Sequence, residues 1–307
     1  MSAPFQGIFI PLITPINPAE RPDLDALRRL VAFQLENGVS GLWALGTTSE
    51  FAAFDEDERG AILRTVVDTA AGRVPVIANV SDASTRLTIR HARRAADLGA
   101  DAVAATPPYY YPHSQDELLA HYRAIRAAVD LPVFIYNIPQ TVRVRLELST
   151  ARTLAAEGTV AGIKDSQNDL EWFRQLTLAT RGTDFAPLAG TRYLIDAAVL
   201  AGAVGAVPSL GNAFPELCVA AYQTAASGDF ERAASVSEEI ARIEAIVGTI
   251  TSGSRNAAML GFIKTVLADR GIITDASVTS PLRTLRDDER TEMLRRLDAI
   301  RPKYALS

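Results

Sequence analysis

Cysteine and histidine are rare in this sequence, and their scarcity limits the chemistry that it can carry. The single cysteine, Cys218, excludes an internal disulfide, so nothing in the chain requires an oxidising compartment. The three histidines, His91, His113 and His121, show no paired spacing of metal ligands. With only one cysteine beside them, they argue against a catalytic zinc site, and we expect no metal.

Long apolar runs and blocks of like charge are also missing. No run reaches the roughly 18 apolar residues that a membrane helix needs. Residues 1–15 are apolar but lack a basic segment and meet proline at positions 11 and 15, unlike a signal peptide. A net charge of −5, spread along the chain, argues against nucleic acid or an acidic membrane as a partner. We therefore expect a soluble, cytoplasmic protein that binds small molecules.

Lysine is scarce as well, and its scarcity directs attention to one side chain. Only Lys164, Lys264 and Lys303 are lysines, whereas 28 of the 31 basic residues are arginine. Lys264 and Lys303 stand in polar, helical or terminal contexts and are predicted to be surface residues. Lys164 follows the apolar residues 160–163, which is typical of a buried strand. Because lysine, unlike arginine, can lose its proton when it is desolvated, Lys164 is a candidate nucleophile.

Eight short apolar runs, rich in valine, isoleucine and alanine, alternate with longer helical stretches. The runs lie at 7–14, 41–46, 75–80, 101–107, 132–138, 160–166, 185–190 and 203–210. Apolar strands separated by helices are typical of a parallel sheet covered on both faces, and eight such units predict a (β/α)₈ TIM barrel. A doubly wound sheet is the alternative, but no Gly-x-Gly-x-x-Gly follows the first run.

The pattern changes after about residue 211, where only helical segments follow. We therefore predict a catalytic barrel over residues 1–212 and a helical C-terminal extension over residues 213–307 that packs on it.

Polar and aromatic residues follow several of the predicted strands. The carboxyl ends of barrel strands face the active-site mouth. Thr47 and Thr48 follow the second run, and three consecutive tyrosines at 109–111 follow the fourth; Tyr136 and Lys164 lie in the fifth and sixth runs. Because these last two runs are neighbours, Tyr136 and Lys164 can lie side by side.

A Schiff base is the chemistry that this arrangement indicates. Lys164 would be the nucleophile, with Gly162 on the same strand face leaving room beside its amine. A nearby phenol would relay protons, and hydroxyls with glycine-exposed amides would hold a carboxylate. Glu50 is expected only to cap a turn or helix.

Three motifs resemble those of the dihydrodipicolinate synthase and N-acetylneuraminate lyase family, pyruvate-dependent class I aldolases. They are GTTSE at 46–50, YNIP at 136–139 and GIKDS at 162–166, and the likeness covers essentially the whole chain. The resemblance implies that Lys164 is the Schiff-base lysine and Tyr136 the general acid/base. Gly46, Thr47 and Thr48 match the loop that binds the carboxylate of the 2-keto acid, with Thr47 also counted among the catalytic residues.

The same resemblance implies a role for two further residues and for other subunits. Tyr110, within the run of three tyrosines, stands where the family has a catalytic tyrosine that reaches into a neighbouring subunit's proton relay. The backbone of Val207 matches a position that faces the pyruvate moiety. A homotetramer built from dimers is implied, with no cofactor beyond the covalent imine on Lys164.

The chain departs from the named branches of the family at several positions. Thr141 stands where the synthase branch has an arginine for a second carboxylate, and Ser49 replaces a glycine. Asp165 and Ser166 look more like the 2-keto-3-deoxy sugar acid aldolases.

Two arginines are candidates for recognising part of the substrate. Arg192 replaces an acidic residue of the lyase branch, and Arg143 follows the fifth run, near the position of the synthase arginine. An arginine fork matches a carboxylate, so both are candidates for binding a second negative group on the substrate. The alternative is that both are solvated surface charges.

These observations predict a lyase that forms a Schiff base with pyruvate or another 2-keto acid and cleaves or forms a C–C bond. The substrate would be a 2-keto-3-deoxy or 4-hydroxy-2-keto acid, with an aldehyde as the other reactant. Three alternatives stay open: a 4-hydroxy-tetrahydrodipicolinate synthase, a Schiff-base dehydratase of 2-keto-3-deoxy sugar acids, and a non-catalytic barrel that binds keto acids.

Overall fold

The computed structural model describes residues 5–301, and each of the eight apolar runs contains one strand. The strands are β1 Gly7–Pro11, β2 Gly41–Ala44, β3 Val76–Asn79, β4 Ala102–Ala105, β5 Val133–Asn137, β6 Gly162–Asp165, β7 Ala186–Ala189 and β8 Gly205–Ala206. They pair in parallel in chain order, and β8 returns to β1, so the sheet closes. The predicted (β/α)₈ barrel is confirmed, and closure excludes the doubly wound sheet.

Helices follow the strands and continue after the barrel. They are α1 Leu24–Glu36, α2 Glu56–Ala70, α3 Thr85–Asp97, α4 Gln115–Ala128, α5 Pro139–Val142, α6 Leu148–Ala156, α7 Leu170–Ala179, α8 Ile195–Leu200, α9 Pro215–Ala226, α10 Phe230–Val247, α11 Arg255–Asp269 and α12 Asp287–Ile300. Several begin at a side chain that accepts a backbone hydrogen bond, such as Asp55 before α2 and Ser114 before α4. These caps satisfy amides that a helix start leaves unpaired.

Aromatic rings fill the barrel beneath the carboxyl ends of its strands. A Cβ atom on Gly162 would lie 2.4 Å from Cε1 of Phe134. The Phe134 ring in turn packs edge-on against Trp43, with 6.4 Å between the ring centroids. Gly162 therefore makes room for the Phe134 ring, which corrects the expectation that it leaves space beside the amine of Lys164.

Helix α11 packs with nearly all of its length buried, including every residue from Ala257 to Leu267. Lys264 lies in this stretch with no exposed surface, and its Nζ atom is 2.6 Å from Oε1 of Glu50. The prediction that Lys264 is a surface residue is wrong, because α11 has buried residues on all sides and its polar residues do not mark a solvent face. Lys303, predicted to be exposed, lies outside the described residues.

The C-terminal helices continue directly from the barrel. In α9 the hydroxyl of Tyr222 donates a 2.8 Å hydrogen bond to the carbonyl of Val204, just before β8. The division into residues 1–212 and 213–307 stays a prediction. Within residues 5–301, no helix is long and apolar enough to cross a membrane.

Candidate active site

A cavity of about 1160 Å³ lies where the strands end at their carboxyl termini. Its wall includes most of the residues singled out from the sequence, namely Thr47, Thr48, Tyr110, Tyr136, Arg143, Lys164, Arg192 and Val207. Gly46 is buried behind this wall. A Cβ atom on Gly46 would lie 3.2 Å from Cδ1 of Trp43, so glycine lets the backbone pass close to the indole ring.

Lys164 and Tyr136 lie side by side on β6 and β5, as the order of the strands predicts. The two residues are register partners in the sheet. The Nζ atom of Lys164 is 4.2 Å from the centre of the Tyr136 ring and 5.1 Å from the centre of the Trp43 ring. Lys164 is only 4% exposed, yet no carboxylate of residues 5–301 forms an ion pair with it. Its amine is therefore not committed to a structural contact with an acid.

Thr47 connects the turn that follows β2 to Tyr136. The Thr47 Oγ1 and Tyr136 Oη atoms are 3.0 Å apart, and either can be the donor. Residues Thr47–Ser49 form a one-turn 3₁₀ helix whose first hydrogen bond runs from the Ser49 amide to the Gly46 carbonyl. The amides of Thr47 and Thr48 precede that bond, and a helix start leaves such amides without an intrahelical acceptor.

Ser49, which replaces the glycine of the family motif, makes a contact of its own. Its Oγ atom is 2.6 Å from Oγ1 of Thr14, and both residues are buried. Thr14 follows β1, so this hydrogen bond ties the turn to a second strand end. Replacing glycine by Ser49 buries a hydroxyl group, and the hydroxyl of Thr14 gives that group a hydrogen-bond partner.

Of the three tyrosines, two are exposed in this chain. Tyr110 and Tyr111 are 85% and 66% exposed, and their ring centroids are 5.0 Å apart. Tyr110 has a φ of 90°, a conformation that is costly for a bulky residue. Within the described chain no second tyrosine hydroxyl joins the hydrogen bond between Thr47 and Tyr136. Tyr109 is half-buried, and burial raises the pKa of its phenol.

The arginines at the cavity differ in how far their charges are compensated. Arg192 forms an ion pair of 2.5 Å with Glu244. Arg255, at the start of α11, lies 3.9 Å from the same carboxylate and is 75% exposed. Arg143 is exposed and forms no ion pair within residues 5–301. Sequence reasoning missed Arg255, because no motif links the start of α11 to the strand ends.

Glu50 also lines the cavity, but it does not act as expected. Its side chain makes no capping hydrogen bond at either adjacent 3₁₀ turn. It is buried against Lys264 and Thr279 instead. No local sequence signal marks this contact, because its partners lie more than two hundred residues away.

Asp165 lies next to Lys164 on β6 but on the opposite face of the strand. It is 6% exposed, and Nδ2 of its register partner Asn137 donates a 2.6 Å hydrogen bond to its Oδ1 atom. Burial raises the pKa of Asp165 to about 7, and the hydrogen bond from Asn137 opposes that rise. The outer face of β6 thus holds a carboxyl group, that of Asp165, which is mostly neutral below about pH 7.

No group of three or more histidine, cysteine, aspartate or glutamate side chains within residues 5–301 is arranged to hold a metal ion.

Comparison with known proteins gives consistent matches along the chain. Residues 4–300 match the sequence model of the dihydrodipicolinate synthetase family. An uncharacterised DapA-like lyase of Halobacterium salinarum is 37% identical over 288 residues, which cover 94% of this chain and 91% of that protein.

Two solved structures share the fold over nearly their whole length. The dihydrodipicolinate synthase of Bacteroides thetaiotaomicron superposes with a TM-score of 0.91 at 32% identity, covering 97% of this chain and 100% of that one. YagE of Escherichia coli K12, a prophage protein of the dihydrodipicolinic acid synthase family solved in complex with pyruvate, superposes with a TM-score of 0.90. It is 26% identical, and the match covers 96% of this chain and 98% of that one.

The buried carboxyl of Asp165 predicts a pH dependence of stability. Its pKa of about 7 in the folded chain exceeds the value of about 3.9 for an exposed aspartate. The folded state therefore binds the proton more tightly, and the stabilisation is full below about pH 4 and is lost as the pH rises through about 7. Over this window the wild type should lose up to about 1.4 kcal/mol per pH unit relative to Asp165→Asn. Urea unfolding of both proteins at a series of pH values measures the difference, and a constant difference would contradict the prediction.

Proposed function

The chain belongs to the dihydrodipicolinate synthetase family of lyases, and we propose that Lys164 is the residue on which it forms a Schiff base with pyruvate or a related 2-keto acid. The observation that carries the proposal is the position of this amine. It is buried 4.2 Å from the Tyr136 ring, at a cavity wall, without a carboxylate partner in the described chain. A buried amine that is not committed to an ion pair is suited to nucleophilic attack on a carbonyl.

The chemistry follows from that attack. The amine adds to the keto carbon, and the resulting carbinolamine loses water to give an iminium. When the bond between C3 and C4 of a 4-hydroxy-2-keto acid breaks, its electron pair moves into the iminium and leaves an enamine. The C4 hydroxyl loses its proton to a base, its oxygen becomes a carbonyl oxygen, and the fragment that carries C4 departs as an aldehyde. Protonation of the enamine and hydrolysis then release pyruvate, and the reverse sequence forms the bond.

Tyr136 and Thr47 are suited to moving the protons in these steps. Their hydroxyls are 3.0 Å apart, which is hydrogen-bond distance, and both line the cavity with Lys164. The phenol can donate a proton to the leaving water and accept one from the C4 hydroxyl, while Thr47 orients it. The electron sink is the iminium itself.

The keto acid's carboxylate would bind at the turn that begins at Gly46. The hydroxyls and free amides of Thr47 and Thr48 are donors, which a carboxylate requires. Val207 lies across the cavity, but its own amide donates a 2.8 Å hydrogen bond to the Ala189 carbonyl. Only the carbonyl of Val207 is therefore available to face the substrate.

A second copy of the chain would complete the site. Tyr110 is 85% exposed and adopts a strained φ of 90°, and strain of this kind persists where surrounding structure holds it. Burial of Tyr110 and Tyr111 against a partner subunit would supply those surroundings and bring a phenol to the partner's relay. We therefore propose a dimer, doubled into a tetramer.

Trapping with borohydride tests the Schiff base. Reduction in the presence of pyruvate should fix one adduct on the wild-type chain, and peptide mapping should place it on Lys164. Lys164→Arg should abolish trapping although it keeps the charge, since a guanidinium does not form the imine. No adduct, or equal labelling of Lys264, would overturn the mechanism. With a 2-keto-3-deoxy acid as the substrate, the masses of the products then distinguish the two reactions. Cleavage gives pyruvate and an aldehyde, whereas dehydration gives one product that has lost one water.

Removing one hydroxyl tests the proton relay. Tyr136→Phe keeps the ring against Lys164 but removes the group that transfers protons, so kcat should fall by a factor of about 10²–10⁴. The matched control is Tyr122→Phe, because the buried hydroxyl of Tyr122 on α4 donates to the Ala105 carbonyl on β4 and does not line the cavity. If both variants keep near-wild-type turnover, Tyr136 only packs.

The charges of the cavity favour a substrate whose second half is anionic. Arg143, Arg192 and Arg255 line the cavity together with Lys164. Among the described residues that line it, Glu50 is the one carboxylate, and Lys264 already compensates it. A second carboxylate on the substrate would find charge-assisted donors there, which form stronger hydrogen bonds than neutral groups do.

Paired substrates test this preference. Arg143→Ala and Arg255→Ala should lower kcat/KM for a 2-keto-4-hydroxy diacid by about 10²-fold and leave a neutral-tailed 2-keto-3-deoxy sugar acid nearly unaffected. Arg192→Ala is a less clean test, since it leaves Glu244 without its nearest cation. Arg145→Ala is the control, because Arg145 is exposed on the same loop, pairs with Asp169 and does not line the cavity. Equal losses for both substrates would refute an anionic tail site.

A further inference from the structure

The turn that carries Thr47 and Thr48 is bounded by two residues in an unfavourable conformation. Leu45 before it and Glu50 after it both have a φ of 58°, in the left-handed region that glycine usually occupies. A residue in this conformation is strained, and it persists only where neighbouring groups hold it. The position of the turn therefore depends on contacts made at its two ends.

Barrel residues hold the first part of the turn. Nδ2 of Asn79, at the end of β3, donates a 2.7 Å hydrogen bond to the Leu45 carbonyl. The hydroxyls of Thr14 and Ser49 are 2.6 Å apart. Both contacts come from the ends of neighbouring strands, which the closed sheet already fixes.

The far end of the turn is held from outside the barrel. Oε1 of Glu50 lies 2.6 Å from Nζ of Lys264 in α11. Oε2 of Glu50 accepts hydrogen bonds of 2.6 Å from the Thr279 amide and 2.8 Å from the Thr279 hydroxyl. Lys264 also donates a 2.8 Å hydrogen bond to the Ser277 carbonyl. The Glu50 carboxylate thus joins the carboxylate-binding turn to α11 and to the segment that follows it.

Net stability is a poor explanation for this contact. The Lys264 and Glu50 side chains are 0% and 2% exposed, so both charges have lost their hydration. Desolvation of such a pair often cancels its coulombic gain, and apolar replacements of similar size are frequently as stable. The structure nevertheless directs three polar contacts at Glu50, the residue that ends the turn: one from Lys264 and two from the amide and hydroxyl of Thr279.

We propose that Lys264 and Glu50, with Thr279, are positioning residues that hold the Thr47–Ser49 turn against Lys164 and Tyr136. This inference rests on the proposed function of the turn as the carboxylate site of the 2-keto acid. Loss of the contact lets Glu50 leave its left-handed conformation, which moves Thr47 away from Tyr136 and weakens binding of the keto acid.

The test measures how borohydride trapping on Lys164 depends on pyruvate concentration. The double variant Glu50→Gln/Lys264→Met removes both charges at similar volume and avoids an unpaired buried charge. Its half-saturating pyruvate concentration should rise by about tenfold or more, the loss expected from charge-assisted hydrogen bonds. The thermal midpoint should fall no more than in the control.

The control removes another ion pair of the same region. Glu216→Gln/Arg270→Met disrupts a pair 3.0 Å apart at the end of α11, which does not line the cavity. It should change the thermal midpoint and leave the pyruvate dependence as in the wild type. Equal pyruvate dependence in both double variants would make the Lys264–Glu50 pair merely structural and overturn the inference.

A milder variant decides the matter if the double variant does not fold. Thr279→Val removes one hydroxyl at constant shape, and it should raise the half-saturating pyruvate concentration severalfold; Thr279→Ser, which keeps the hydroxyl, should raise it less. An unchanged value in Thr279→Val overturns the inference while trapping itself still supports the proposed function. If the wild type traps no pyruvate at all, the proposed function fails, and the positioning role fails with it.

Discussion

The parallel pairing of β5 with β6 is the constraint on which the site depends. In this register Tyr136 lies beside Lys164, and Phe134 lies beside Gly162 one layer below. A slip of one residue would turn Lys164 out of the barrel, because side chains alternate between the two faces of a strand. The register is held from below, where the Phe134 ring occupies the space that Gly162 leaves open and a larger residue would collide with it.

The same alternation gives the two strands a second, outward face that is also polar. Asn137 and Asp165 follow Tyr136 and Lys164 in sequence, pair across the strands and are buried between the barrel and its helices. A carboxyl group in that position is more easily kept neutral than charged, since desolvation penalises its charge. The strand pair thus combines an inner face that carries Lys164 and Tyr136 with a titratable outer face.

Two buried lysines show how surroundings decide what a side chain does. Lys164 faces aromatic rings, and the described chain offers it no carboxylate, so its amine is available for reaction. Lys264 is more deeply buried but is held by Glu50 and the Ser277 carbonyl. Burial lowers the pKa of Lys264, while the negative charge of Glu50 opposes that shift. The two lysines therefore differ in their partners more than in their depth of burial, and the proposed role of Lys164 as a nucleophile rests on that difference.

The sequence by itself determined the fold class, the strands within their runs and the neighbouring positions of Tyr136 and Lys164. These follow from local periodicity and from the order of the strands, which a parallel barrel preserves. Only the tertiary structure decided that Lys264 is buried against Glu50 and that Arg192 is held by Glu244. Such contacts join segments far apart in the chain. They depend on how the C-terminal helices pack, and α11 carries no polar stripe from which that packing can be read.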